Sequence, residues 1–233
     1  MKRLLPFMLT SLLLLTAAGC GAAEEPTPSS SEPESSSAAS ASDGAETAEE
    51  PGGILIAYFS VPEDVDTEGV DAVAGASVVV REGEVLGNTE YMAGIIQQTV
   101  GGDFFRIETV EDYPLDHDAL VDFAAEEQDA GARPELAGEV ENLDQYDTIF
   151  LGYPNWWGDM PMALYTFLES YDLSGKTVIP FCPHGGSRFS RTVETIAQLQ
   201  PDASVSGEGL AISRNEVADS AETVAAWAEE VFA

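Results

Sequence analysis

Positive charge is what this chain most lacks: nine Lys and Arg stand against 42 Asp and Glu, for a formal net charge of −33. A surface of that sign excludes nucleic acid and anionic lipid headgroups as direct ligands, and it favours cationic protein partners through steering. Much of the charge also serves solubility. Cysteine is nearly as scarce. With only Cys20 and Cys182 in 233 residues, neither a disulfide framework nor a CxxC or paired-cysteine metal site is available, and no metal site is expected. The apolar run from Leu4 to Leu15 is too short to span a bilayer.

Lys2 and Arg3 precede that run and Ala17-Ala18-Gly19-Cys20 follows it, giving the three regions of a secretory signal. A cysteine directly after small residues resembles a bacterial lipobox. The resemblance implies that residues 1–20 end in a lipid anchor on Cys20 and that the protein is extracytoplasmic, held at the cell membrane by that lipid alone. Ala17 stands where leucine is commoner, and an ordinary signal peptide would release the protein instead. Residues 21–51 are rich in Ser, Ala, Glu, Thr and Pro with no aromatic residue, a composition that makes a tether and not a fold. As a flexible coil it would span roughly 30 Å. Eight of the acids fall in this tether, so residues 52–233 keep 34 acids against seven bases, a net charge of about −27.

Residues 52–233 suit one domain. Ile54 to Phe59 and Thr148 to Leu151 are continuous apolar runs, as expected of parallel strands covered on both faces. Phe104 to Ile107 and Thr177 to Cys182 add two more, and a last short strand is expected within Ala203 to Ile212. Helical patterns lie between them: Tyr91 to Val100 after Gly87-Asn88-Thr89, about Leu115 to Asp129, from near Asp159, about Arg188 to Gln200, and a final helix capped by Asn215. Strands alternating with helices predict an α/β fold, doubly wound around a five-stranded parallel sheet in the order 2-1-3-4-5. Residues 61–86 interrupt the pattern after the first strand. Their second half, Ser77 to Leu86, reads as a small hairpin around Gly83.

Three loops, each following a strand, are expected at the carboxyl edge of this sheet, where open α/β sheets bind ligands. Ser60 with Gly87-Asn88-Thr89 offers a hydroxyl, a glycine for close backbone approach and a helix N-terminus suited to phosphate. Pro154-Asn155-Trp156-Trp157-Gly158 offers two indoles, which serve either a ligand or the core. Pro183 to Ser187 is the third. Gly175-Lys176-Thr177 is not a nucleotide P-loop, because Ser170 occupies the earlier glycine position and a strand follows. Gly207-x-Gly209 lacks the third glycine of a dinucleotide fingerprint.

On Tyr58-Phe59-Ser60 with Gly87-Asn88-Thr89, on Tyr153 to Gly158, and on Gly175 to Cys182 leading into His184-Gly185-Gly186, the chain resembles the flavodoxin-like family, in particular its small bacterial lipoproteins. The resemblance covers nearly all of residues 53–233. It implies FMN as cofactor, with the phosphate at Ser60, Gly87, Asn88 and Thr89, and the isoalloxazine along Pro154, Asn155, Trp156, Trp157 and Gly158. Cys182, His184, Gly185, Gly186 and Ser187 would border its pyrimidine side. Trp157-Gly158-Asp159 is similar to the turn whose glycine peptide hydrogen-bonds the reduced flavin. Two departures stand out: 26 residues separate Ser60 from Gly87, and Leu86 replaces a threonine. Pro183 also stands where relatives often have threonine. The insertion is expected to fold as a flap beside the phosphate.

A flavin held against indoles in an acidic surround has its reduction potential pushed down. The implied function is a low-potential, monomeric electron carrier with a redox partner that docks through a cationic face, and no side chain need act as a catalytic acid or base. An NAD(P)H- or quinone-dependent flavin oxidoreductase is the alternative, and a non-redox binding module is a third. His184 donates either to a flavin carbonyl or to backbone. Cys182 reads as an inert buried thiol more readily than as a redox group. Arg188 and Arg191 attract an anionic substrate or pair with nearby acids, and His117 reads as surface.

Overall fold

The computed structural model describes residues 52–233; the signal segment, Cys20 and the tether lie outside the described residues. Among these no helix is long and apolar enough to cross a membrane. The chain begins with strand β1 (Gly53–Tyr58), then forms the short antiparallel strands β2 (Ala72–Val73), β3 (Val78–Arg81) and β4 (Glu84–Gly87). Helix α1 (Asn88–Val100), strand β5 (Asp103–Arg106) and helix α2 (His117–Ala130) follow. Next come β6 (Tyr146–Gly152), α3 (Met162–Ser170), β7 (Thr177–His184) and α4 (Thr192–Leu199). Strands β8 (Ser204–Val205) and β9 (Leu210–Ser213) and helix α5 (Ala221–Phe232) complete it.

The main sheet runs β5-β1-β6-β7-β8, with β9 also paired to β7, and every pairing is parallel. This is the expected 2-1-3-4-5 path with six strands in place of five, because the fifth is split. The break falls between the Val178–Val205 and Phe181–Leu210 pairs. Pro180 lies opposite it and has no N–H to give a ladder.

Side chains alternate across the sheet as a two-sided core requires. Leu55, Ala57 and Phe59, with Ile149 and Leu151, face Leu120 of α2, Ala163, Leu164, Phe167 and Leu168 of α3, and Ile196 of α4. Ile54, Ile56, Tyr58 and Phe150 face Met92, Ala93 and Ile96 of α1 and Val224 and Ala228 of α5. Gly152 is a packing glycine: a Cβ there would fall 2.1 Å from the Phe181 ring.

Element ends differ from expectation where caps decide them. The Asp116 carboxylate accepts from the Ala119 N–H at 3.1 Å, so α2 starts at His117 and not Leu115. Helix α3 waits until Pro161 has passed, at Met162. Helix α4 starts four residues later than Arg188, after Arg188 and Ser190 take positive φ. Asn215 does not cap the last helix; a 3-10 turn over Val217–Asp219 intervenes and α5 begins at Ala221.

The insertion is larger than a hairpin. β2, β3 and β4 form their own antiparallel sheet, and Val79 joins the core beneath α1. The Arg81 guanidinium lies over the Tyr91 ring at 5.1 Å and donates to the Ala218 carbonyl. At its other end the Asp64 N–H donates to the Leu115 carbonyl at 3.0 Å. The insertion therefore reaches from the α1 side of the sheet to the start of α2.

Candidate functional site

A cleft of ≈ 310 Å³ opens at the carboxyl ends of β1, β6 and β7. Ser60, Asn88, Thr89, Pro154, Asn155, Trp156, Trp157, His184 and Gly185 line it, so residues far apart in the chain and nominated by motif share one cavity. Such a site, concave and with few converging polar groups, is the default place for a small molecule.

Its polar end is the start of α1. Asn88 is 2% exposed, and neither its side-chain oxygen nor its nitrogen has a partner among the described residues. Leaving a buried amide unsatisfied costs about 1–3 kcal/mol, which marks this end of the cleft as a place where a polar partner would be stabilising. Gly87 is needed there because a Cβ would fall 2.0 Å from the Ser60 Oγ. That contact brings β1 and α1 together across the insertion. Glu90 sits in the first turn, where its carboxylate accepts from the Gly87 N–H at 3.4 Å and pairs with Arg106 at 3.1 Å.

The aromatic wall is the loop after β6. Trp156 and Asp159 exchange backbone hydrogen bonds at 2.8 and 2.9 Å, with Trp157 and Gly158 between them at φ 54° and 82°. This is a two-residue hairpin with positive φ at both central positions, which glycine takes freely and tryptophan does not. The two indoles part company. Trp156 turns inward, edge-on to Phe59 and Tyr113 at 5.4 and 5.7 Å. Trp157 is 61% exposed, and its Nε1–H donates to the Val121 carbonyl of α2 at 3.1 Å.

Asn155 ties this loop to the next. Its amide donates to the Arg188 carbonyl at 2.8 Å and the Ser190 hydroxyl at 2.9 Å, while its oxygen accepts from the Gly158 N–H at 3.1 Å. His184 Nδ1 accepts from the Gly186 N–H at 2.9 Å. Burial and then the nearby Arg188 hold this imidazole below the ordinary histidine pKa, so it stays neutral at pH 7 and keeps an Nε2–H donor free.

Not every nominated residue reaches the cleft. Gly87 stands behind it, against Ser60, and Gly158, Gly186 and Ser187 do not line it. Cys182 lies beneath the site, fully buried, its thiol donating to the Pro183 carbonyl at 3.4 Å. Burial pushes the thiol pKa far up, which leaves a packing residue and not a ligand. Arg191 pairs loosely with Glu194 at 3.8 Å.

Several lining residues escaped motif reading, Glu63, Gly75, Ser77 and Arg214 among them. His117 is exposed, as its surface reading expected, and it also lines the cleft, with Nδ1 3.0 Å from both oxygens of the Glu63 carboxylate, which is itself only 7% exposed. The hydrogen bond and the charge of Glu63 raise the His117 pKa. Only its burial sets Glu63 apart from the other acids of the insertion, and burial is not visible in one sequence.

The sequence model of the flavodoxins matches residues 77–231. The chain belongs to the flavodoxin family. The match begins inside the insertion, which separates β1 and Ser60 from the remainder of the family pattern while the fold brings them back to Gly87. Two solved structures resemble this flavodoxin along most of its length. A candidate flavoprotein of Bacteroides eggerthii DSM 20697 is 26% identical with a TM-score of 0.54, over 75% of this chain and 98% of its own. One from Bacteroides uniformis ATCC 8492 is 28% identical with a TM-score of 0.54, over 73% of this chain and 97% of its own. No curated protein matches it. FMN is the cofactor of the family, and the donor set fits it: an unpartnered amide at a helix N-terminus for a phosphate, indoles for a flat ring, and a neutral imidazole N–H for a carbonyl.

Proposed function

We propose that this flavodoxin binds FMN and works as a low-potential electron carrier at the cell envelope, anchored through lipid on Cys20. The observation that carries the reading is the one cleft that Asn88, whose amide is buried and unpartnered among the described residues at the start of α1, shares with Trp156, Trp157 and His184. Bound FMN supplies one- and two-electron transfer. The chain's residues then have separate tasks. The Asn88 side chain, Thr89 and the N–H groups of α1 that follow Asn88 hold the phosphate. Trp156 and Trp157 exclude water from the ring, and His184 Nε2–H offers a hydrogen bond. The acidic surface disfavours added negative charge on the ring, which lowers the potential. The same surface suits a redox partner with a cationic docking face, and the exposed Trp157 edge gives that partner a short path to the ring.

Purified full chain in detergent micelles, incubated with FMN and desalted, should keep a yellow chromophore that dithionite bleaches. A colourless protein would sink the reading. A turnover oxidoreductase on the same fold is favoured by one observation, the His117–Glu63 pair inside the cleft, where it could serve a second substrate. Bleaching of the bound chromophore by NAD(P)H alone at turnover rates would replace the carrier reading with that one.

A further inference from the structure

We infer that the insertion is itself part of the ligand site: the Ser77 hydroxyl supplies the donor lost at Leu86, and the Glu63–His117 pair pins the insertion across the cleft so that Ser77 stays in place. The inference rests on the FMN reading and concerns the phosphate-bearing end of the ligand.

Register brings Ser77 to that end. β3 pairs with β4 so that Val78 lies opposite Gly87, and the Ser77 carbonyl accepts from the Asn88 N–H at 2.8 Å. Ser77 thus sits directly on the first residue of α1, beside the unpartnered Asn88 amide, and lines the cleft with Ser60 and Thr89. Its hydroxyl makes no hydrogen bond among the described residues, and its backbone is left-handed at φ 56°. A serine tolerates that conformation at a cost, and such outliers gather where geometry serves a site. Gly75, two residues earlier, also lines the cleft, and a Cβ there would meet nothing within 4 Å. The cleft wall at Gly75 is therefore open.

The insertion cannot be placed by β3 and β4 alone, because the segment leading to them crosses to the other helix layer. Three contacts fix that crossing. The Glu63 N–H donates to the Ala76 carbonyl at 3.3 Å and the Asp64 N–H to the Leu115 carbonyl at 3.0 Å, while the Glu63 carboxylate holds His117 Nδ1 at 3.0 Å. Glu63 is thereby joined both to the residue next to Ser77 and to the first residue of α2. Its pairing with His117 also keeps an uncompensated carboxylate from facing a phosphate.

The test compares FMN with riboflavin, which carries the ring and ribityl chain but no phosphate. Dissociation constants are measured by flavin-fluorescence titration for the full chain, for Ser77→Gly and for Glu63→Gln. Glycine relieves the left-handed backbone, so Ser77→Gly removes the hydroxyl without endangering the fold. Its FMN dissociation constant should rise about tenfold or more, as for loss of one hydrogen bond to a charged group, with that for riboflavin unchanged. Glu63→Gln should likewise weaken FMN more than riboflavin and should expose residues 61–80 to faster proteolysis. An FMN-to-riboflavin preference identical in Ser77→Gly and the parent overturns the inference while the FMN reading stands. Failure of the parent to bind either flavin overturns both.

Discussion

The Asn155 side-chain amide donates to the Arg188 carbonyl at 2.8 Å, so the loop after β6 and the loop after β7 hold each other in position. The same side chain steadies Gly158 and Ser190. Each such bond contributes about 1 kcal/mol, and both loops border the ligand cleft. Asn155→Ala should weaken FMN binding about tenfold, read by fluorescence titration. An unchanged affinity would mean that the loops are held by other contacts.

Gly152 is a steric requirement. A methyl group there would overlap the fully buried Phe181 ring, 2.1 Å away. Gly152→Ala should cost about 1–3 kcal/mol, from overpacking. Urea denaturation checks it against Gly75→Ala, whose Cβ meets nothing and which should unfold at the parent's midpoint. Equal midpoints for both variants would show that Phe181 moves aside freely.

The pair His117–Glu63 makes stability depend on pH. Glu63 raises the His117 pKa from its ordinary 6.5, with Asp118 adding to it and burial and Arg214 opposing. The stability from this pair is therefore complete below about pH 6.5 and fades as pH rises through the raised value. His184 acts the other way, since its pKa is lowered and stability is lost as pH falls below its ordinary value. Glu63→Gln removes only the first effect. The stability difference between parent and variant, followed by urea unfolding from roughly pH 5 to 9, should shrink as pH rises. A difference independent of pH would refute the pairing.

Cys182 should be chemically silent. In Cys20→Ser it is the only thiol, and burial both shields it and raises its pKa. Ellman's reagent should find no thiol in the folded protein and one in urea. Rapid labelling of the folded protein would show that β7 opens readily.

Periodicity made the layers legible in the sequence. Ile54 to Phe59 and Thr148 to Leu151 could be assigned because a strand covered on both faces has no polar alternation, and the glycine and proline punctuation put three loops at one edge. Ends were less legible, since Asp116 and Pro161 cap helices through geometry that composition does not show. The split of the last strand depends on its neighbour, where Pro180 leaves the ladder without a donor. Within the site, motif residues such as Asn88 and Trp157 were legible, but Glu63 and His117 were not. They stand 54 positions apart, and no local pattern links the insertion to the start of a later helix.

The insertion also bears on how the chain acquires its structure. Among the described residues β1 pairs only with β5 and β6, and both are synthesised after it, beyond the insertion. One of the most apolar segments of the domain therefore leaves the ribosome early and waits for Arg106 before it has even one neighbour. Unpaired apolar strands are aggregation hazards while folding is incomplete. Glu63, Asp64, Asp66, Glu68 and Asp71 follow it immediately, and carboxylates in that position act as gatekeepers, repelling a second nascent copy until the proper strand arrives.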